Sequence, residues 1–127
     1  MSKEPIIEDV RAGKGREVKR RDVVRIKLSM QLSKGEWVLE DQITAFQIGA
    51  RSVIAGLEKG VLGMKQDGIR KITFGPHLGY RDKPVANIPA NAKLICHVEL
   101  LELFDENDPN GPVGIRRMIR EERGKAS

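Results

Sequence analysis

The sequence predicts an α+β fold with a mainly antiparallel sheet and one short helix. Three observations carry this. Apolar residues recur along most of the chain with the period of two expected of half-buried strands. A single core segment changes to the helical period, and successive strand signals lie too close together for the crossovers that a parallel sheet needs.

From Val24 to Leu32 the apolar residues Val24, Ile26, Leu28, Met30 and Leu32 alternate with Arg25, Lys27, Ser29 and Gln31. One face of this strand is therefore core and the other wet. Ser33-Lys34-Gly35-Glu36 reads as a turn into a second short strand around Trp37, Val38 and Leu39, and Ile43 to Ile48 reads as a third extended piece ending at Gly49. The helix follows, with Val53, Ile54, Leu57 and Val61 on one face. Gly56 and Gly60 weaken it by about 1 kcal/mol each relative to Ala, so tertiary packing or a close backbone approach must hold it. Ile69 to Phe74 is a further strand, followed by an irregular loop, GPHLGYRDKPVANIPAN. A loop of that length inside a compact chain suggests function. Lys93 to Phe104 is the longest strand signal, with Leu94, Cys96, Val98 and Leu100 on one face and Ile95, His97, Glu99 and Leu101 on the other. After Phe104 the pattern stops: DENDPNGP reads as an acidic linker, and Ile115, Met118 and Ile119 give the last segment some helical character. The expected organisation is one domain over residues 1–104 and a linker with a charged tail over 105–127.

Composition narrows the function classes. The 127 residues suit one ordinary domain, and 39% hydrophobic residues together with 13 glycines argue against wholesale disorder. No apolar run approaches a membrane span, and MSKEPIIEDV lacks the basic cap and apolar stretch of a secretory signal. The lone Cys96 excludes an internal disulfide and fits a reducing compartment, so the expected location is cytoplasmic. The net charge of +5 is a modest field over a chain that is 32% charged, although basic residues are dense in KGREVKRRDVVRIK and IRRMIREERGK. One Trp and one Tyr leave little aromatic surface on which to stack bases, which argues against reading single-stranded nucleic acid.

Conventional catalytic groups are scarce. His77 and His97 are the only histidines, and Cys96 and His97, adjacent on a strand, point to opposite faces and form no dyad. No spacing suits a metal site, no P-loop ends in Lys-Ser/Thr, and no GxGxxG joins a strand to a helix. What remains is an arrangement. Gly49, Val53, Ile54, Gly56, Gly60, Gly63 and Met64 form an apolar-Gly entry, a Val-Ile-x-Gly helix and a Gly-Met exit. Ile72, Pro76 and Tyr80 then supply a strand, a proline and a loop tyrosine. Ile88, Pro89, Ala92 and Leu94 lead into a final strand carrying Val98 to Leu101. In this order and spacing the chain, roughly from Ile6 to Phe104, resembles the FKBP-type peptidyl-prolyl cis-trans isomerases.

The resemblance implies a curved antiparallel sheet wrapped around the short helix, with a shallow apolar pocket that receives a prolyl ring. It implies no cofactor and no metal, since an X–Pro bond needs no nucleophile, only an environment that favours its twisted, less polar form. The catalytic residue it implies is Tyr80, whose hydroxyl would hydrogen-bond the peptide carbonyl. Val53, Ile54 and Ile88 match the family's apolar wall. At other pocket positions the chain departs: Leu28 stands at the first-strand Tyr, Val38-Leu39 at the Phe-Asp pair, Leu57 at the helix Trp and Cys96 at the final-strand Phe. Glu40 or Asp41 would replace the missing carboxylate if the register shifts. The expected activity is therefore weak isomerisation of proline-containing peptides and partly folded proteins by a monomer. Two other readings stay open: a non-catalytic binding module or chaperone on the same fold, and an electrostatic adaptor for nucleic acid or an acidic protein.

Overall fold

A computed structural model describes residues 4–108. The helical character expected around Ile115, Met118 and Ile119 lies outside the described residues. Within them five strands form one sheet in the order β1-β4-β5-β2-β3. They are β1 at Ile6–Arg11, β2 at Val23–Leu32, β3 at Trp37–Gln47, β4 at Ile69–Phe74 and β5 at Leu94–Phe104. Every pairing is antiparallel, and the curved sheet covers a single helix, α1, at Ala55–Val61.

The alternation expected of the central strands places the core. On β2, Val24, Ile26, Leu28 and Met30 are buried, whereas Arg25, Lys27, Ser29 and Gln31 are only half-buried. On β5, Leu94, Cys96, Val98 and Leu100 are each 0% exposed. Because β2 and β5 are neighbours, their inner faces merge into one apolar surface, and Leu57 and Val61 of α1 belong to the same buried cluster. The two helix glycines are the points of closest approach. A Cβ at Gly60 would stand 2.5 Å from Ile72 Cδ1, and one at Gly56 would overlap the Phe74 ring. The propensity lost at these positions lets the helix lie against β4.

Three expectations need correction. The pieces expected around Trp37 to Leu39 and from Ile43 to Ile48 are one strand. The sequence hides its continuity because β3 carries two irregularities opposite β2, between Leu28 and Met30 and between Met30 and Gln31, where extra residues break the alternation. Val53 and Ile54 precede α1 instead of forming part of its apolar face. Ile54 is extended (φ −60°, ψ 146°), and its carbonyl accepts the first helical bonds, from Leu57 N–H at 3.1 Å and Glu58 N–H at 3.3 Å. A seven-residue helix with two glycines has too little propensity to extend back through a β-branched pair. The loop after Phe74 is not irregular throughout. It begins with a 3₁₀ turn at Pro76–Leu78, and Asn91 N–H donates to the Arg81 carbonyl at 2.6 Å, closing its two ends.

β1 has no counterpart in the sequence reading. Every residue of IIEDVR is exposed, so no alternation marks it; its partner is β4, with Ile7 opposite Ile72 and Asp9 opposite Arg70. The buried charges also escape pattern reading. Arg70 is 8% exposed; its Nε donates to Asp9 at 2.7 Å and its Nη1 to the carbonyls of Gly60 and Leu62 at 2.8 Å each. It thereby satisfies carbonyls left open at the helix C-terminus and places a cation at the negative end of the dipole. Asp22, 1% exposed, accepts a two-pronged bond from Arg16 at 2.7 and 3.1 Å and another from Lys19 N–H at 2.8 Å. The Asp22 hydrogen bond holds the Arg16 guanidinium above its ordinary pKa.

Candidate active site

The segment entering α1, the inner sheet face and the loop following β4 supply the residues expected at the site. Phe74 joins them. Its ring packs where Gly56 of the helix leaves room, and Gly79 of the loop lies against the same ring, with a Cβ built there 3.5 Å from Phe74 Cε2 and 3.3 Å from Leu94 Cδ1. Gly79 thus allows the next residue, Tyr80, to sit on the core. Farther along, Val85 and Ile88 exchange backbone hydrogen bonds at 2.9 and 2.6 Å, a tight closure that returns Ile88 to the apolar cluster.

All the residues expected at the pocket belong to one apolar assembly, but at two depths. Leu28, Leu57, Ile88 and Cys96 are buried within it; Val38, Leu39, Val53, Ile54 and Tyr80 pack against it while remaining partly exposed. Adjacent residues Val38 and Leu39 both reach the cluster, which strict alternation forbids, because a β-bulge intervenes. Trp37 turns the other way. It is 50% exposed on the outer face, its ring tilted 46° against that of His97 at a centroid distance of 5.4 Å. His97 is accordingly separated from buried Cys96 by the thickness of the sheet.

Charge is absent from the apolar assembly. Asp41 does not supply the carboxylate: its N–H donates to Ser29 Oγ at 2.9 Å, and its side chain borders an outer-face hollow shared with Lys27, His97 and Glu99. Glu40 is exposed and has no ion pair among the described residues. Burial pushes the Cys96 thiol up to about 12, so at neutral pH it is an uncharged apolar wall and no nucleophile. Burial, with Cys96 nearby, also raises the Tyr80 phenol, which stays protonated throughout the neutral range. Among the described residues its hydroxyl has no hydrogen-bond partner, leaving a donor on a partly exposed apolar surface.

Sequence reasoning missed two aromatic members of this assembly. Phe46, opposite Val24 on β3, and Phe74 are 2% and 3% exposed. The signal for Phe46 was its place beside the Gln47–Gly49 exit of the strand; for Phe74 it was the Gly75 that ends β4. His77 is exposed in the 3₁₀ turn. Next to Ile88, a groove of about 440 Å³ runs between the β2–β3 turn and the returning loop, bordered by Leu32, Asn87, Pro89 and Asn91.

Comparison with known proteins agrees with this architecture. The family model described as FKBP-type peptidyl-prolyl cis-trans isomerase matches residues 14–101. FK506-binding protein 4 of Aspergillus fumigatus is 37% identical over 100 residues, covering 76% of this chain and 20% of that protein. FK506-binding protein 1A of Neurospora crassa is 46% identical over 57 residues, 44% of this chain and 48% of that one. The crystal structure of FkpA from Escherichia coli superposes with a TM-score of 0.72 at 28% identity, covering 80% of this chain and 49% of that chain. The chain thus spans about a fifth of the length of the first of these relatives. The family match runs from the segment before β2 through most of β5, taking in α1, Tyr80 and Ile88, and by it the chain belongs to the FKBP-type peptidyl-prolyl cis-trans isomerase family.

Proposed function

We propose that the chain catalyses cis–trans isomerisation of X–Pro bonds in peptides and partly folded proteins, acting as a cytoplasmic monomer with modest turnover. The observation that carries this reading is Tyr80: a protonated hydroxyl without an internal partner, partly exposed on the apolar cluster that also holds Val53, Ile54, Leu57 and Ile88. Rotation about the X–Pro bond breaks amide resonance, and the twisted amide carries less charge separation than either planar form. An apolar surface that excludes water favours that form, and a phenol donating to the substrate carbonyl fixes the rotating group. No proton is transferred and no covalent bond is made. The modest rate follows from the aliphatic residues Leu28, Leu57 and Cys96, which offer the prolyl ring less contact area than aromatic rings would.

The test is isomerisation of short X–Pro peptides by exchange NMR, together with refolding of a proline-limited protein, a process that unaided takes about 10–100 s. The intact chain should accelerate both. Tyr80→Phe keeps the ring and removes the donor, and should lower kcat/KM about tenfold, the worth of one hydrogen bond made at the transition state. No acceleration by a folded sample overturns the enzyme reading and leaves a binding module on the same fold.

A further inference from the structure

A second concave region borders the Ile48–Ala50 stretch that precedes α1. It is a groove of about 770 Å³ bordered by Arg20, Arg21, Gln47, Ile48, Gly49, Ala50 and Glu106. Arg20 and Arg21 are the two central residues of a turn closed by Asp22 N–H donating to the Lys19 carbonyl at 3.2 Å. Arg21 takes the left-handed conformation (φ 74°), and its backbone is fixed on both sides: its N–H donates to the Ile48 carbonyl at 3.1 Å, and its carbonyl accepts from Gln47 Nε2 at 3.0 Å. Both guanidinium groups are thereby carried on a well-anchored turn tip.

The carboxylates around this groove are already engaged. Asp22 is buried and committed to Arg16, and Glu58 is held by the Gly49 N–H at 3.0 and 3.2 Å. Arg20 has no ionic partner among the described residues. What does reach the groove from the segment after β5 is Glu106, 3.9 Å from Arg21. A carboxylate of the chain's own polypeptide therefore already borders this wall.

We propose that this groove is an exosite for acidic segments of the substrate polypeptide, with Glu106 as its internal competitor. The proposal rests on the isomerase reading for the position of the reacting proline. Ala50 borders the groove and Val53 belongs to the prolyl site, so their Cα atoms are at most about 11 Å apart. Three or four extended substrate residues span that distance. The exosite would thus select prolines flanked by Asp or Glu a few residues away, which an uncharged prolyl surface cannot do by itself.

The experiment compares two peptides with the same X–Pro core, one carrying three Glu residues about four positions from the proline and the other three Gln. Exchange NMR gives kcat/KM, and fluorescence anisotropy gives binding, for the intact chain, Arg20→Glu, Glu106→Gln and, as a charge control, Lys34→Glu in the β2–β3 turn. The expected acidic-to-neutral ratio is about fivefold at low salt, what two exposed ion pairs supply, and it shrinks as salt is added. Arg20→Glu should bring the ratio to about one, and Glu106→Gln should raise it; opposite signs cannot both come from misfolding.

A ratio of one in the intact chain, with both peptides turned over, overturns the exosite and leaves the isomerase reading in place. If neither peptide is turned over, that reading fails and anisotropy decides the groove: acidic binding abolished by Arg20→Glu upholds it, and binding indifferent to Arg20→Glu overturns it. A loss of preference in Lys34→Glu as large as in Arg20→Glu traces it to net charge and overturns the groove. A single-stranded oligonucleotide that displaces the acidic peptide at lower concentration than the peptide itself overturns the assignment to acidic polypeptide.

Discussion

His97 shows how one side chain on the outer face is tuned by its neighbours. Its Nε2 lies 2.7 Å from Gln31 Oε1, its ring packs on Trp37, and Lys71 stands opposite it on β4. Burial first, and then the Lys71 charge, lower its pKa below the ordinary 6.5, although Asp41 and Glu99 border the same hollow. The folded protein therefore resists taking up a proton that the unfolded chain accepts. Stability contributed by neutral His97 is complete above the unfolded pKa and is lost as pH falls through the lowered folded value. The urea midpoint of the intact chain should thus fall between about pH 7.5 and about pH 5.5, and His97→Gln should show a smaller fall over that range. An equal fall in both would assign the acid sensitivity to other groups.

At the scale of the elements, the contact between α1 and β4 determines how the site is held. Substituting Ala for Gly in a helix ordinarily gains about 1 kcal/mol. At Gly60 the added methyl would stand 2.5 Å from Ile72 Cδ1 and Cγ2, an overlap that costs about 1–3 kcal/mol in a packed core. Gly60→Ala should therefore lower the urea midpoint despite its better propensity. Gly56→Ala reaches farther, because the Phe74 ring it displaces also supports Gly79, next to Tyr80. That variant should lose stability and also X–Pro turnover, with the loss of turnover persisting where the protein is still folded. A stabilised Gly60→Ala would mean that the helix is free to move off the sheet. The sequence announced this close approach, since two glycines in so short a helix require a reason. It could not announce the partners, which lie on a strand that joins the helix only after folding.

Across the whole molecule, legibility followed burial. β2, β4 and β5 alternate because each has one face on the core, whereas the members of the candidate site were named by the family resemblance and not by alternation. The continuity of β3 was hidden by its bulges and β1 by its exposure on every residue. Arg70 was hidden because its partner Asp9 lies 61 residues away, beyond any local pattern. β1 and the Asp9–Arg70 bond share one edge of the sheet, opposite β3, and their weight can be measured by deleting residues 1–11. The deletion removes Asp9, leaves Arg70 with its two carbonyl partners, and exposes β4 as a new edge. Stability should fall by about 1–3 kcal/mol, the cost of leaving a largely buried charge short of one hydrogen-bond partner, read as a lower urea midpoint. Light scattering should show self-association through the uncovered edge. Turnover of a neutral X–Pro peptide should survive, because Tyr80, Val53, Ile54 and Ile88 are carried by the helix entry and the loop, which do not pair with β1. If stability is unchanged, the Asp9–Arg70 bond carries no weight; if turnover disappears from a folded sample, the edge strand and the site are coupled through Arg70 and the end of α1.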